Sequence, residues 1–163
     1  MARMKPTIEF EGQRIDGDLF HERILKSASA LRSAGLGEGD VVALLLPNGA
    51  EALEVMLAAR WLGAQWSPIN WHFKTDEVQY ILSNSGARLL VADAALLAHL
   101  PGLDTRGLTT LVHGDADGTW ARTRDAAPAL AEAARARPTA EPSAAPARPS
   151  PPCRCGEWRA ARP

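Results

Sequence analysis

Asp40-Val41-Val42-Ala43-Leu44-Leu45-Leu46-Pro47 is the stretch that decides the fold. Its six consecutive apolar residues are bounded by an acid and a proline and show no polar alternation, which suits a strand covered on both faces, as in a parallel sheet. Just upstream, Gly35-Leu36-Gly37-Glu38-Gly39 supplies a turn, and just downstream Asn48 is predicted to cap a helix. A helix that stops at glycine, a buried strand and a second helix make the repeating unit of an α/β sheet.

Before the strand, Asp16 or Asp18 is placed to cap a helix whose positions Phe20, Ile24, Ser27, Ala28 and Leu31 recur at helical spacing, with Gly35 as its left-handed stop. Thr7 to Phe10 and Gln13 to Ile15 flank Glu11-Gly12 and read as a short hairpin. Beyond the strand, the helix capped by Asn48 is expected to bury a stripe of Leu53, Met56, Leu57 and Arg60 to Trp61, ending at Gly63. A second strand follows from Gln65 to Ile69, and Thr75 is expected to cap a helix carrying Val78, Ile81 and Leu82 that closes at Ser85-Gly86. Arg88 to Ala92 reads as a third strand, Asp93 to His99 as a short helix, and Thr109 to Val112 as a fourth strand. Strands alternating with helices predict right-handed crossovers and a mostly parallel sheet with helices on its faces, so the class is α/β.

After Asp125 the composition changes. Eight of the 12 prolines lie in the last 38 residues, among Ala and Arg, with few large apolar side chains to offset the entropy of ordering. The sequence therefore divides into a folding unit over 1–125 and a disordered tail over 126–163, with Ala126 to Arg137 as the one helical piece expected in it. Residues 1–125 carry 12 Lys/Arg against 16 Asp/Glu, and the tail carries 6 against 3.

The net charge of -1 argues against nucleic acid as a partner, and no apolar run approaches the roughly 20 residues of a membrane span. Met1-Ala2-Arg3-Met4-Lys5-Pro6 lacks the apolar region of a secretory signal, so the cytoplasm is the expected location. Cys153 and Cys155 are too close for an ordinary disulfide and too few for a closed metal site, and they read as two incidental thiols.

Gly35-Leu36-Gly37-Glu38-Gly39-Asp40 resembles a phosphate loop only in composition. A phosphate loop runs from a strand into a helix N-terminus, whereas this one leaves a helix and enters a strand, so it reads as a stop and turn. His21, His72, His99 and His113 are too widely spread for a zinc pattern. Trp61, Trp66 and Trp71 recur every five residues, which matches neither helix nor strand, and each reads as local packing. Trp71-His72-Phe73, in the loop after a strand, is the most pocket-like cluster, because open α/β sheets bind ligands at strand C-termini. The Arg-bearing tail has Trp158 as its only aromatic and reads as solvated.

The ordered series Leu31 to Asn48, Gly63-Ala64, Pro68-Ile69-Asn70-Trp71-His72-Phe73, Asp76 to Leu82 and Ser85-Gly86-Ala87-Arg88 resembles the opening of AMP-forming acyl-CoA synthetases, in the adenylate-forming, AMP-binding superfamily. The resemblance covers residues 8–112. It implies that the sheet is an incomplete fragment of the synthetase N-terminal domain. It also implies a two-step ligase chemistry: a fatty or related carboxylate attacks the ATP α-phosphate, releasing pyrophosphate, and the CoA thiol then takes the acyl group and releases AMP. ATP, Mg and CoA are implied for the full-length family, and the matched region precedes the groups that bind them there. This sequence holds no Ser/Thr-Gly-Thr-Thr-Gly-x-Pro-Lys loop, and Lys26 and Lys74 lie in other contexts. The resemblance therefore assigns no catalytic, cofactor-binding or metal residue to this chain, and no cofactor to it alone.

Three readings follow. The leading one is a truncated N-terminal synthetase segment, inactive alone, arising from a frameshift, an early stop or a misdrawn reading frame. Synthetase sequence in another frame just downstream in the coding DNA is its expected signature. The alternative is a non-catalytic α/β interaction module that pairs its open sheet edge with a separately encoded remainder of the enzyme. A stand-alone enzyme working through Trp71 and His72 is the third, and His72→Ala tests it. Acyl chain length and oligomeric state are not written in the sequence.

Overall fold

The computed structural model describes residues 7–114 and 119–127. A two-stranded antiparallel hairpin opens it, β1 (Ile8–Phe10) and β2 (Gln13–Ile15), turning on Glu11 and Gly12. There follow α1 (Gly17–Ser33), β3 (Val41–Leu45), α2 (Ala50–Trp61), β4 (Gln65–Pro68), α3 (Thr75–Ser85), β5 (Leu89–Asp93), α4 (Ala94–Ala98), β6 (Thr109–His113) and α5 (Thr119–Ala126). The four later strands form one parallel sheet in the order β4-β3-β5-β6. Chain order and sheet order disagree because β4 is laid on one side of β3 and β5 on the other, which is the doubly wound pattern.

Strand β3 shows why an unbroken apolar run was needed. Its Val42 and Leu44 enter one core with α1, α2 and α5, while Ala43 and Leu45 enter a second core with α3 and residues around α4. Both faces of the strand are covered, and all four residues are buried. Each large aliphatic side chain so buried contributes about 1.5–3 kcal/mol.

Helix α1 begins at Asp16, whose carboxylate accepts from the Asp18 N–H at 2.8 Å. It ends in a Schellman motif: the Leu36 N–H donates to the Leu31 carbonyl and the Gly35 N–H to the Arg32 carbonyl, with Gly35 at φ 98°. The glycine turn is then tied to the sheet end, where Gly37 N–H donates to Asp40 Oδ2 and Gly39 N–H to the Gly63 carbonyl. Its role is structural, as its position between helix and strand implies.

Three local expectations are corrected. Gly49, not Asn48, is the N-cap of α2, and no side chain caps that end. Lys74, not Thr75, precedes α3: its N–H donates to the Glu77 carboxylate at 2.8 Å, while the Thr75 hydroxyl donates to the Pro101 carbonyl. The third correction is larger. On α2 the buried positions are Ala50, Glu54, Val55, Ala58 and Ala59, whereas Leu53, Leu57 and Trp61 are 41%, 40% and 55% exposed. Small residues on the inner face let α2 lie close to the Ser27, Ala28 and Leu31 face of α1, and the large apolar residues are left outside. Helix α5 was not anticipated either; its Trp120 is fully buried in the first core.

Residues 128–163, including Cys153, Cys155, Trp158 and nearly all of the helical piece expected from Ala126 to Arg137, lie outside the described residues.

Candidate functional site

Open parallel sheets bind ligands beyond the carboxyl ends of their strands, where successive crossovers diverge. Here that position is a cleft of about 320 Å³ between the β1–β2 hairpin and the loop from Leu46 to Gly49 that follows β3. Ile8, Phe10 and Ile15 give it an apolar side, and Arg23, Glu51 and His113 bring charge or titratable groups. The hairpin packs Ile8 and Ile15 against the first core, which fixes that wall, and His113 reaches the cleft as the last residue of β6. The volume is at the lower end of small-molecule sites.

The cleft's Arg23 is paired internally, and Glu11 adds a second carboxylate beside Glu51 to the lining. Arg23 Nη2 donates to Glu51 Oε1 at 3.3 Å, and Arg23 Nε lies 2.8 Å from Glu54 Oε1. The second of these is a charge contact without hydrogen-bond alignment, since both atoms are shielded and neither has a hydrogen-bond partner. Behind the cleft, Glu54 is fully buried and its other oxygen accepts from Arg124 Nη1 of α5 at 3.2 Å. Burial pushes the Glu54 carboxyl above the ordinary glutamate range, and Arg23 and Arg124 draw it back only in part. Arg124 is raised in turn: burial opposes its charge, but the hydrogen bond to Asp125 and the attraction of Glu54 outweigh that. His113 Nδ1 is shielded and has no hydrogen-bond partner among the described residues.

Trp71-His72-Phe73 follows β4, and none of the three lines the cleft. Trp71 and His72 stack on each other with ring centroids 3.5 Å apart, the His72 N–H donates to Asn70 Oδ1, and Phe73 packs on the second core. The remaining histidines are dispersed. His21 meets the Trp61 ring edge-on at 5.9 Å in a groove between α1 and α2, and His99 closes α4 with Nδ1 2.6 Å from the Ala95 carbonyl. Among the described residues no three His, Cys, Asp or Glu side chains are grouped to hold a metal, and no helix is long and apolar enough to cross a membrane.

Sequence reasoning did not single out Glu54, Arg124 or Trp120. A signal for Glu54 was present: Ala50, Glu54, Ala58 and Val55, Ala59 recur at four-residue spacing on one face, but ranking positions by apolar bulk favoured Leu53 and Leu57. Trp120 and Arg124, four residues apart, carried a comparable signal that the surrounding polar residues masked.

The fold defines a doubly wound α/β domain with this cleft at the carboxyl end of its sheet. Residues 2–152 match the family model described as AMP-binding enzyme, and the chain belongs to that family. Among curated relatives it is similar to the 2-succinylbenzoate–CoA ligase of Geobacillus kaustophilus, 43% identical over 82 residues, covering 50% of this chain and 16% of the relative. It is also similar to the fatty acid–[acyl-carrier-protein] ligase ScoC of Streptomyces coeruleorubidus, 34% identical over 85 residues, covering 52% of this chain and 16% of that protein. Among solved structures, the benzoate CoA ligase of Burkholderia xenovorans superposes with a TM-score of 0.68 at 23% identity, over 74% of this chain and 25% of that one, a likeness of fold. The N-terminal domain of FACL13 from Mycobacterium tuberculosis gives 0.62 at 27% identity, over 72% and 31%. The chain thus spans about a sixth of the length of these curated relatives. The expected α/β class, the parallel sheet and the resemblance to acyl-CoA synthetases all hold.

Proposed function

We propose that this chain is the N-terminal segment of a cytoplasmic ATP-dependent ligase that joins a fatty or related carboxylic acid to CoA, and that by itself it does not catalyse adenylation. The observation that carries the reading is the family match over residues 2–152, in a sequence with no Ser/Thr-Gly-rich lysine loop. Adenylation develops negative charge on transferring phosphates, and preorganised cations and backbone amides are what stabilise it. The cleft's Arg23 is already committed to two carboxylates, which supports inactivity. ATP, Mg and CoA belong to the assembled enzyme in this reading. ATP–pyrophosphate exchange with the purified chain and a panel of aliphatic and aromatic acids tests it. Exchange at the no-protein background is the expected result, and acid-dependent exchange above that background overturns the reading.

A second reading, an interaction module that pairs with a separately encoded remainder, is favoured by the outward Leu53, Leu57 and Trp61 on α2. A helix apolar on both sides is characteristic of one enclosed in a larger body. Co-purification with a separately expressed C-terminal synthetase chain, followed by pyrophosphate exchange, tests this. A complex that exchanges supports pairing, and two chains that elute apart without exchange remove it.

A further inference from the structure

Helix α5 is eight residues long, and its one large apolar side chain is Trp120. A single aromatic anchor sets how deeply a short helix sits but leaves it free to swivel and to slide by a turn. Arg124 lies four residues on, on the same face as Trp120. Its Nη1 reaches Glu54 Oε2 of α2 at 3.2 Å, its Nε is held by Asp125 Oδ1 at 2.9 Å, and Glu54 Oε1 lies 2.8 Å from Arg23 Nε of α1. Three helices therefore meet at one buried carboxylate. We propose that the Arg23–Glu54–Arg124 junction is a register lock, selecting the single rotation and axial position at which α5 closes over α1 and β6, and contributing selectivity among arrangements rather than net stability.

The groups facing Glu54 support this division of labour: Arg23 from α1, Glu51 from its own helix, and Arg124 with Asp125 from α5. Burial raises the Glu54 carboxyl despite the two guanidiniums, so the ionised form is better accommodated in the unfolded chain than in the folded one. A buried ionic group of that kind does little for stability, and replacing the whole set by apolar residues of similar size is commonly neutral or stabilising. Its loss is felt in which arrangement forms.

The test is hydrogen–deuterium exchange on the full chain, comparing wild type with R23M/E54M/R124M, alongside urea unfolding. The lock predicts an unfolding midpoint equal to or above that of wild type, together with at least about tenfold faster exchange of the α5 amides relative to those of α1 and α2. A triple variant whose α5 amides stay within about twofold of wild type overturns the proposal, and so does one whose midpoint falls. R124M alone, which leaves the Arg23–Glu54 contact in place, gives a second route. Loosened α5 amides with α1 and α2 still protected support the lock, and unchanged α5 protection overturns it.

Discussion

Replacing Trp120 with alanine removes the side chain through which α5 joins the first core. Trp120 is fully buried among residues of α1, the sheet and α2, so the loss can be worked from area. A buried tryptophan hides about 150–250 Å². At about 25 cal/mol per Å² that is an upper value of roughly 4–6 kcal/mol. A compact unfolded chain trims it by about 10–40%. The result agrees with the roughly 3–5 kcal/mol that large-to-small aromatic substitutions cost in packed cores. Against a total stability of about 5–15 kcal/mol, this is a large share. Urea unfolding followed by far-UV circular dichroism reads it without relying on tryptophan emission. With a slope of about 1.5 kcal/mol/M the midpoint should fall by about 2–3 M. A shift below about 0.5 M would show that α5 is not part of the cooperative unit and would refute the packing argument. Trp120→Phe sharpens the point. Nε1 is buried with no hydrogen-bond partner among the described residues, so deleting it removes an unsatisfied donor, and the variant should stay within about 1.5 kcal/mol of wild type.

Gly63 sits at φ 72° with its absent Cβ only 3.1 Å from Glu38 Cγ, so Gly63→Ala should cost about 1–2 kcal/mol in thermal or urea unfolding. Arg106 holds the Asp104 carboxyl down to about 2 from 3.8, through side-chain and then backbone hydrogen bonds. Because the folded value is depressed, the contribution is present above pH 3.8 and is lost as pH falls through about 2. NMR titration of Asp104 should show that midpoint, with Arg106→Ala returning it toward 3.8. Leu57→Gln and Trp61→Gln should change stability by no more than about 0.5–1 kcal/mol while raising solubility, whereas Val55→Ala, two residues from Leu57 but fully buried, should cost roughly 1–3 kcal/mol.

The sheet was legible in the sequence because a strand buried on both faces has few alternatives. Val41 to Leu46 and Leu89 to Ala92 are apolar throughout, and the turns beside them carry glycine at Gly35, Gly63 and Gly86, where positive φ is required. Helix faces were legible only where bulk and burial coincide. In α1 they do, with Phe20, Ile24 and Leu31 inside; in α2 they do not, because close approach to α1 selects alanine for the inner face. Capping failed at Thr75 because Lys74, Thr75, Asp76 and Glu77 are all polar and the helix begins one residue early, at a Lys74 N-cap; at Asn48 it failed because Gly49 follows and takes the N-cap position with no side-chain bond. The cleft was unreadable for a different reason. Its walls come from the hairpin, α1, the β3–α2 loop and the end of β6, so it exists only once the crossovers have placed His113 beside residues some sixty to a hundred positions earlier.

What the cleft does with its charges bears directly on nucleotide binding. The N-terminus of α2, uncapped by any side chain, lies at the cleft wall formed by Gly49, Ala50 and Glu51 and favours negative charge, which Glu51 in that first turn already supplies. Arg23, the one guanidinium lining the cleft among the described residues, contacts Glu51 at 3.3 Å and Glu54 at 2.8 Å. A triphosphate entering here would bring several negative charges to within a few ångströms of Glu51 and would have to win Arg23 from a buried carboxylate whose other cation among the described residues is Arg124. Breaking a buried pair in that way costs about 3–5 kcal/mol, more than a surface phosphate contact returns. Mg-ATP titrated into the labelled chain should therefore leave the amide signals of Gly49, Glu51 and His113 without saturable shifts at millimolar nucleotide. Glu51→Gln, which frees part of Arg23 and removes the competing charge, should be the first substitution to produce them. Saturable shifts in the wild-type chain would mean that the cleft binds nucleotide despite the pairing of Arg23, and the electrostatic argument for an inactive segment would fall with it.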